Sequence, residues 1–228
     1  DSVVSPGTPR PLDTIVWYPT TPDAAPIDSS YDAVLDAPLD LSGGPYPLLM
    51  FSHGSCGYPA QSTFLTALLA SYGYVVAAPP HPGNTIFEFP SCAGALGTSV
   101  QERPQDIIFV TDELLAANTD NTSPFFGAID PERIGMWGHS MGGYLTLRAM
   151  VTSQDTKAGV IWAGVIASYP DLLYNWTRRG PFVASPSSRS RQHGPDRRSP
   201  AGRGAGQPDA AGCGNPHRAE RARAFAHR

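Results

Sequence analysis

The stretch that decides the fold is Arg133-Ile134-Gly135-Met136-Trp137-Gly138-His139-Ser140-Met141-Gly142-Gly143. It begins as a short apolar run, which predicts a buried strand, and it ends in the pattern G-x-S-x-G. A helical pattern follows over residues 144–150, so the serine lies at a predicted strand-to-helix turn. Such a turn strains the backbone of its serine and requires small neighbours, which Gly138 and Gly142 provide. The stretch therefore predicts a nucleophile elbow with Ser140 as the nucleophile.

The helix predicted after Ser140 adds a chemical argument to the turn. Its first backbone amides and its dipole favour negative charge that forms close to the serine. Acyl transfer develops such a charge on the oxygen of the attacked carbonyl. The local sequence therefore favours acyl transfer at Ser140.

Strands and helices alternate around this elbow. Strands are predicted over residues 12–18, 47–52, 74–78 and 159–167, and helices over residues 61–71 and 104–118. The run 47–52 is continuously apolar, as is typical of strands buried on both faces of a parallel sheet. The alternation implies right-handed crossovers, and hence an α/β fold whose mostly parallel sheet carries helices on both faces.

Composition divides the chain into two parts. Residues 1–176 hold 17 acidic and 5 basic residues, a formal charge of −12, whereas residues 177–228 hold 3 and 11, a charge of +8. After Trp176 there is no Leu, Ile, Met, Tyr or Trp, so the second part cannot bury enough apolar surface to offset the entropy of ordering it. We predict an α/β domain over residues 1–177 and a disordered Arg/Gly/Pro-rich tail over residues 178–228 that is not native to the fold. Residues 180–228 should therefore not pack regularly against residues 1–176.

The composition changes where the fold needs further strand–helix units. A lost reading frame near residues 178–190, or a truncated or chimeric gene, would produce this change. The chain also begins at Asp1 without methionine and without a visible signal peptide, which fits a processed mature form or a fragment. We therefore expect the fold to be incomplete at its C-terminal side.

The cysteines and the hydropathy bear on the compartment. Cys56 and Cys92 fall in loops predicted at the same end of the sheet, and we predict a disulfide between them, with two free thiols as the alternative. A disulfide would indicate an exported protein, secreted or periplasmic. No run of 18 or more apolar residues occurs, which excludes a membrane span. The sequence leaves the oligomeric state unassigned.

Several motifs in order carry a resemblance to a known family. They are Val16-Trp17-Tyr18-Pro19, Phe51-Ser52-His53-Gly54, the segment 70–78, Arg103-Pro104-Gln105-Asp106, the segment 129–135 and Gly138-His139-Ser140-Met141-Gly142-Gly143. With them the chain resembles the α/β-hydrolase superfamily. The resemblance is strongest to the branch of dienelactone-hydrolase-like esterases, platelet-activating-factor acetylhydrolases and bacterial polyester hydrolases.

The resemblance implies particular partners for Ser140. The oxyanion hole would be formed by the backbone amides of Met141, just after the nucleophile, and Ser55, just after His53-Gly54. The acid and then the base would follow the serine along the chain. Asp171 lies just past a predicted strand and is the candidate acid, although it could also be a helix N-cap.

Six histidines are candidates for the base or for a metal site: His53, His81, His139, His193, His217 and His227. The first three precede Ser140, so loop and elbow structure explains them better than a role as base. They could form a zinc site, but no H-x-x-x-H or C-x-x-C spacing supports one. The last three fall in the predicted tail, where no strand or helix would hold a base in place. The base stays unassigned, and we predict no metal and no cofactor.

We therefore expect a serine hydrolase that acts on small-molecule carboxylic esters through an acyl-enzyme at Ser140. Without an anchored base, we expect hydrolysis at least ~10³-fold slower than in an intact relative. One alternative is a prolyl-oligopeptidase-like peptidase, and another is an inactive domain that binds acyl or lipid ligands. The arginine-rich tail lacks the interleaved aromatic residues of a base-stacking surface, so we predict no nucleic-acid partner.

Overall fold

A computed structural model describes residues 10–21, 36–164, 182–185 and 218–222. The strands are β1 (Ile15–Thr20), β2 (Tyr46–Ser52), β3 (Val75–Ala78), β4 (Ile129–His139), β5 (Thr156–Trp162), β6 (Phe182–Ser185) and β7 (Arg218–Ala222). The helices are α1 (Thr63–Ser71), α2 (Leu96–Thr119) and α3 (Met141–Thr152). Three 3₁₀ turns cover Pro59–Ser62, Ile86–Glu88 and Ser91–Gly94.

The strands form one mixed sheet in the order β6-β5-β4-β2-β3-β1-β7. Neighbouring strands from β6 to β3 pair in parallel, whereas β1 is antiparallel to both β3 and β7. Helices α1, α2 and α3 connect the successive parallel strands from β2 to β5. The predicted mostly parallel α/β fold is confirmed.

Alternation along β3 shows how the two layers of core arise. Val75 and Ala77 belong to a cluster with Ile107 of α2 and Leu147 of α3. Val76 and Ala78 belong to the other cluster, which includes Ala67 and Ala70 of α1. Because successive side chains of a strand point to opposite faces, α2 and α3 cover one face of the sheet and α1 covers the other.

Two prolines lie inside a helix and a strand, although the sequence pattern predicts each of them at the end of its element. The pattern puts Pro104 in the first turn of its helix, but α2 begins eight residues earlier, at Leu96. The missing N–H costs one helical bond, while the buried Arg103 and Ile107 on either side hold the helix in place. The pattern also ends β1 at Pro19, yet this proline lies within the strand, beyond the Ile15–Trp17 section that pairs with β3. Tertiary contacts override the local signal at both sites.

The expectation that no residue beyond 180 packs on the sheet is wrong for two segments. β6 pairs in parallel with β5 at one edge of the sheet, and β7 pairs antiparallel with β1 at the other. The physical reason is that an edge strand offers unpaired N–H and C=O groups, which any extended backbone can satisfy without apolar side chains. The domain boundary at residue 177 and the lost reading frame stay predictions.

The α1 face is only partly covered by the described residues. A groove of about 250 Å³ lies there, with a lining that includes Leu49, Leu65, Leu69, Trp137 and Val160. Val160 of β5 is 42% exposed and Phe64 of α1 is 54% exposed. Across the described ranges, no helix combines the length and hydrophobicity that crossing a bilayer requires.

Candidate active site

Ser140 lies between the end of β4 and the start of α3. Its backbone has φ 54° and ψ −121°, a region that residues with a side chain rarely occupy. The Ser140 N–H donates to Trp162 O over 2.9 Å, and Ser140 O accepts from Gly143 N over 3.0 Å. The strained strand-to-helix turn predicted from the sequence is confirmed.

The two elbow glycines are required by packing. A Cβ on Gly138 would lie 2.5 Å from the carbonyl of Gly142, and a Cβ on Gly142 would overlap the carbonyl oxygens of Ser52 and His53. The start of α3 thus rests on the end of β2. Ser140 is therefore held against the loop that leaves β2.

This loop, residues Ser52–Gly57, is termed the oxyanion loop. Gly54 lies beside the nucleophile, since a Cβ built on it would be 3.6 Å from Ser140 Cβ. Ser55 follows Gly54 and is exposed. Met141 is the first residue of α3, so its N–H has no partner within the helix. Gly54 and Met141 thus flank Ser140, and Ser55, expected with Met141 to form the oxyanion hole, is the residue after Gly54.

Gln61 joins the two sides of this arrangement, and the sequence interpretation missed it. Its Oε1 accepts the Gly54 N–H over 3.0 Å, and its Nε2 lies 2.9 Å from His139 Nδ1. Because an amide nitrogen only donates, His139 Nδ1 accepts this bond. In the structure Gln61 lies in the 3₁₀ turn that precedes α1. The only sequence signal is a polar residue at the start of the helix predicted over residues 61–71, which is equally typical of a solvent-exposed position.

A disulfide between Cys56 and Cys92 ties the oxyanion loop to the segment after β3. The two Cα atoms are 5.4 Å apart, so the predicted pairing is present in the structure. Gly57 also forms an isolated bridge with Thr85, and its carbonyl accepts the N–H of Ile86 over 2.9 Å. The oxyanion loop is therefore fastened at its far end.

Replacing both Cys56 and Cys92 with serine should lower the free energy of unfolding by about 2–4 kcal/mol. The bond closes a loop with a sequence separation of 36 residues, which restricts the unfolded chain. Urea unfolding of the double variant measures the loss. Cys213→Ser, which changes the remaining cysteine, is the control and should leave the unfolding midpoint unchanged.

A chain of buried polar side chains runs beneath the oxyanion loop. Arg103 Nη2 donates to Ser52 Oγ over 2.8 Å, and Ser52 Oγ lies 3.0 Å from His81 Nε2. His81 Nδ1 lies 2.9 Å from Asp106 Oδ2, and Asp106 Oδ1 accepts from Arg10 over 2.6 Å. Ser52, His81 and Asp106 thus have the connectivity of a catalytic triad. Because all three are buried, we expect their role to be structural.

Burial dominates the electrostatics of this chain. It raises the pKa of Asp106 to about 6, although the neighbouring Arg10 and Arg103 lower it. Burial also lowers the pKa of Arg103 to about 9, against the attraction of Asp106. Burial, together with the nearby arginine charge, holds the pKa values of His53 and His81 well below their usual range. Both histidines are therefore neutral near pH 7.

These shifts predict that stability falls as the pH is lowered from 6.5 to 5. The unfolded chain binds protons at His53 and His81 below pH ~6.5, whereas the folded chain does not, so each histidine removes about 1.4 kcal/mol per pH unit. Asp106 opposes the loss below pH 6, because the folded carboxylate takes up a proton before the unfolded one. Below pH 6 the unfolded chain therefore binds about one proton more than the folded chain. The free energy of unfolding falls there by ~1.4 kcal/mol per pH unit.

Urea unfolding at pH 8, 7, 6 and 5 measures this dependence. The free energy of unfolding should be nearly constant from pH 8 to 7, where none of the three groups titrates. Constant stability down to pH 5 would contradict the neutral burial of His53 and His81.

The structure leaves the acid and the base open. Asp171, His193, His217 and His227 lie outside the described residues. Among the described histidines, His53 and His81 are buried and His139 is bonded to Gln61. In the described part of the chain, no cluster of three His, Cys, Asp or Glu residues could hold a metal ion.

Comparison with solved structures supports the fold. The ferulic acid esterase from Streptomyces cinnamoneus matches with a TM-score of 0.53 and 23% identity, over 76% of this chain and 65% of that one. An acylaminoacyl peptidase from Pyrococcus horikoshii matches with a TM-score of 0.42 and 26% identity, over 56% of this chain and 20% of that one. At 23% identity, the likeness to the ferulic acid esterase concerns the fold alone.

Comparison by sequence identifies the family. A probable 1-alkyl-2-acetylglycerophosphocholine esterase from Arthroderma benhamiae is 31% identical over 131 residues, which are 52% of this chain and 31% of that protein. The chain therefore spans about a third of the length of this curated relative. The sequence profile of the prolyl oligopeptidase family matches residues 60–179, just over half of the chain. The chain belongs to the prolyl oligopeptidase family of serine hydrolases, within the α/β-hydrolase superfamily.

Proposed function

We propose that this protein is a carboxylic ester hydrolase that works through an acyl-enzyme at Ser140. The observation that supports the proposal most directly is the strained turn at Ser140, packed against Gly54 of the oxyanion loop. A serine in this position presents its hydroxyl at the end of the parallel strands, where the first helical amide of α3 also lies. The esterase from Arthroderma benhamiae adds support for ester rather than amide substrates.

In the proposed reaction, Ser140 Oγ attacks the ester carbonyl carbon and a base takes the hydroxyl proton. The carbonyl oxygen becomes an oxyanion, which the amides of Ser55 and Met141 stabilise by hydrogen bonds. Collapse of the intermediate breaks the bond to the alkoxide, which leaves with the proton from the base. Water, deprotonated by the same base, then attacks the acyl-enzyme carbonyl. The carboxylic acid product leaves, and Ser140 regains its proton.

We place the base outside the described residues, because the described histidines are buried or bonded to Gln61. Asp171 remains our proposal for the acid. The proposed chemistry needs no cofactor, since the nucleophile, the base, the amides and water supply every step. The Cys56–Cys92 disulfide supports the further proposal that the protein is exported.

Labelling with a fluorophosphonate probe tests the nucleophile. We expect the probe to modify the purified chain at Ser140, as located by peptide mapping, and to leave Ser140→Ala unmodified. Ser42→Ala is the matched control, because Ser42 is exposed and precedes β2, and it should label like the unchanged protein. Equal labelling of the unchanged chain and Ser140→Ala would contradict the proposal. Absence of labelling in both would favour an inactive acyl-binding domain.

A second candidate function is peptide hydrolysis, which the family match favours. Paired assays with p-nitrophenyl acetate and an aminoacyl p-nitroanilide separate the two functions. An esterase should cleave the acetate in a Ser140-dependent way and leave the anilide intact. Ser140-dependent cleavage of the anilide at a comparable kcat/KM would identify a peptidase instead.

A further inference from the structure

Among the described residues, Arg103 is the most buried charged side chain, and the proposed reaction does not use it. It is 1% exposed and lies in α2, below the oxyanion loop. Placing a guanidinium in such an environment is costly unless every bond it makes is well formed. The contacts of Arg103 therefore indicate what the fold gains from it.

The guanidinium of Arg103 donates hydrogen bonds to three acceptors. Nη2 donates to the backbone carbonyl of His53 and, over 2.8 Å, to Ser52 Oγ. Nη1 donates to Asn84 Oδ1 over 2.8 Å, and Asn84 Nδ2 in turn donates to Cys92 O over 2.7 Å. Arg103 thus bonds the start of the oxyanion loop directly and the segment on the other side of the disulfide through Asn84.

The direction of the hydrogen bonds in the buried chain depends on Arg103. Ser52 Oγ accepts from Arg103, so its single hydrogen is free to be donated to His81 Nε2. His81 is neutral, and its remaining hydrogen on Nδ1 is donated to Asp106. Each group then has one orientation, which fixes the Ser52 end of the loop.

The carbonyls near Arg103 also support the elbow. The start of α3 packs on the carbonyl oxygens of Ser52 and His53, so closely that a Cβ on Gly142 would overlap both. Arg103 donates to the same His53 carbonyl. Arg103 and the start of α3 thus both contact the His53–Gly54 peptide, one residue before the Ser55 amide.

We propose that Arg103 is a positioning residue that sets the direction of the Ser55 amide toward Ser140. The proposal rests on the proposed function for its effect on catalysis, and on the contacts above for its effect on the loop. Arg103 does not touch the substrate. It acts through the His53 carbonyl, and its loss should leave Ser140 and α3 in place while the oxyanion loop becomes mobile.

The test compares Arg103→Gln, Arg103→Lys and the control Arg133→Gln in the full chain. Arg133 also donates to a backbone carbonyl, that of Pro45 over 2.8 Å, but it is exposed. Amide hydrogen exchange of peptides covering residues 53–57 should rise at least tenfold in Arg103→Gln, with peptides from β4 and α3 unchanged. Arg103→Lys retains a donor for the His53 carbonyl and should show an intermediate rise, and Arg133→Gln should show none.

Ester hydrolysis supplies the second readout. Arg103→Gln should lower kcat for p-nitrophenyl acetate by ~10²–10³-fold with little change in KM, as expected when an oxyanion donor is misplaced. Arg103→Lys should recover part of kcat. A merely structural residue would instead lower the fraction of folded enzyme and leave the kcat of that fraction unchanged.

Two results would overturn the proposal. One is unchanged exchange over residues 53–57 in a folded Arg103→Gln or Arg103→Lys protein. The other is a rise in exchange spread evenly over β4 and α3, which would indicate general destabilisation. If the unchanged chain shows no Ser140-dependent hydrolysis, the proposed function fails, and the exchange data still decide whether Arg103 positions the loop. If Arg103→Gln does not fold, hydrogen exchange and kcat of Arg103→Lys decide the test.

Discussion

Gly142→Ala should destabilise the protein by roughly 3 kcal/mol or more and abolish labelling at Ser140. The new methyl group would overlap the carbonyl oxygens of Ser52 and His53, which belong to the main chain and cannot rotate away. The overlap has to separate the start of α3 from the end of β2. Because that contact holds Ser140 beside the oxyanion loop, the site is lost together with the stability. Urea unfolding and fluorophosphonate labelling measure the two effects.

Gly97→Ala is the matched control for this prediction. Gly97 is also helical, but a Cβ at that position meets no atom within 4 Å. Alanine is the better helix former, so this variant should be more stable by about 0.5–1 kcal/mol. A Gly142→Ala protein as stable and as reactive as Gly97→Ala would contradict the packing of the elbow on β2.

Asp106→Ala should lower the free energy of unfolding by about 3–5 kcal/mol at pH 7. The carboxylate accepts hydrogen bonds from His81 and Arg10 and attracts Arg103, and all of these contacts lie in or beside the core. Its removal leaves buried positive charge without compensation, which costs more than the ion pair itself contributes. Urea unfolding at pH 7 measures the loss.

Asp13→Ala provides the comparison, since Asp13 is exposed and precedes β1. It should change the unfolding free energy by less than ~0.5 kcal/mol. Near-equal effects of the two substitutions would show that Asp106 is not needed to balance the buried arginines.

The elbow could be predicted because its signal is local. Gly138, Ser140 and Gly142 fall within five residues, and a strand run and a helical pattern flank them. The disulfide is one of two alternatives that the sequence allows, since loops after parallel strands meet at one end of the sheet. In both cases the residues that matter are placed by neighbouring elements whose periodicity is visible in the sequence.

The supports of the site could not be predicted in the same way. Gln61 contacts His139 across 78 positions, and Arg103 contacts Ser52 across 51. A single sequence shows the residue types but not which distant groups they meet. The motif with Arg103 and Asp106 carries family resemblance, but its role is visible only once α2 is placed beneath the oxyanion loop.

The edge strands β6 and β7 show a different limit of the sequence argument. Composition predicts that a polar, basic segment does not join the sheet, because it treats burial of side chains as the only driving force. Pairing at an edge depends on backbone hydrogen bonds, which Arg218–Ala222 can form regardless of its charged residues. The Phe-Val-Ala run at the start of β6, preceded by a proline, is the one available strand signal.

The aromatic rings around the elbow make it observable by light. The indoles of Trp137 and Trp162 lie 6.4 Å apart, and the ring of His139 lies 5.3 Å from that of Trp162. The carbonyl of Trp162 also accepts the Ser140 N–H. Indole emission depends on local polarity, so we expect the fluorescence of this pair to change when a reagent modifies Ser140. If the proposed acyl-enzyme forms, its formation should be observable in time without an added dye.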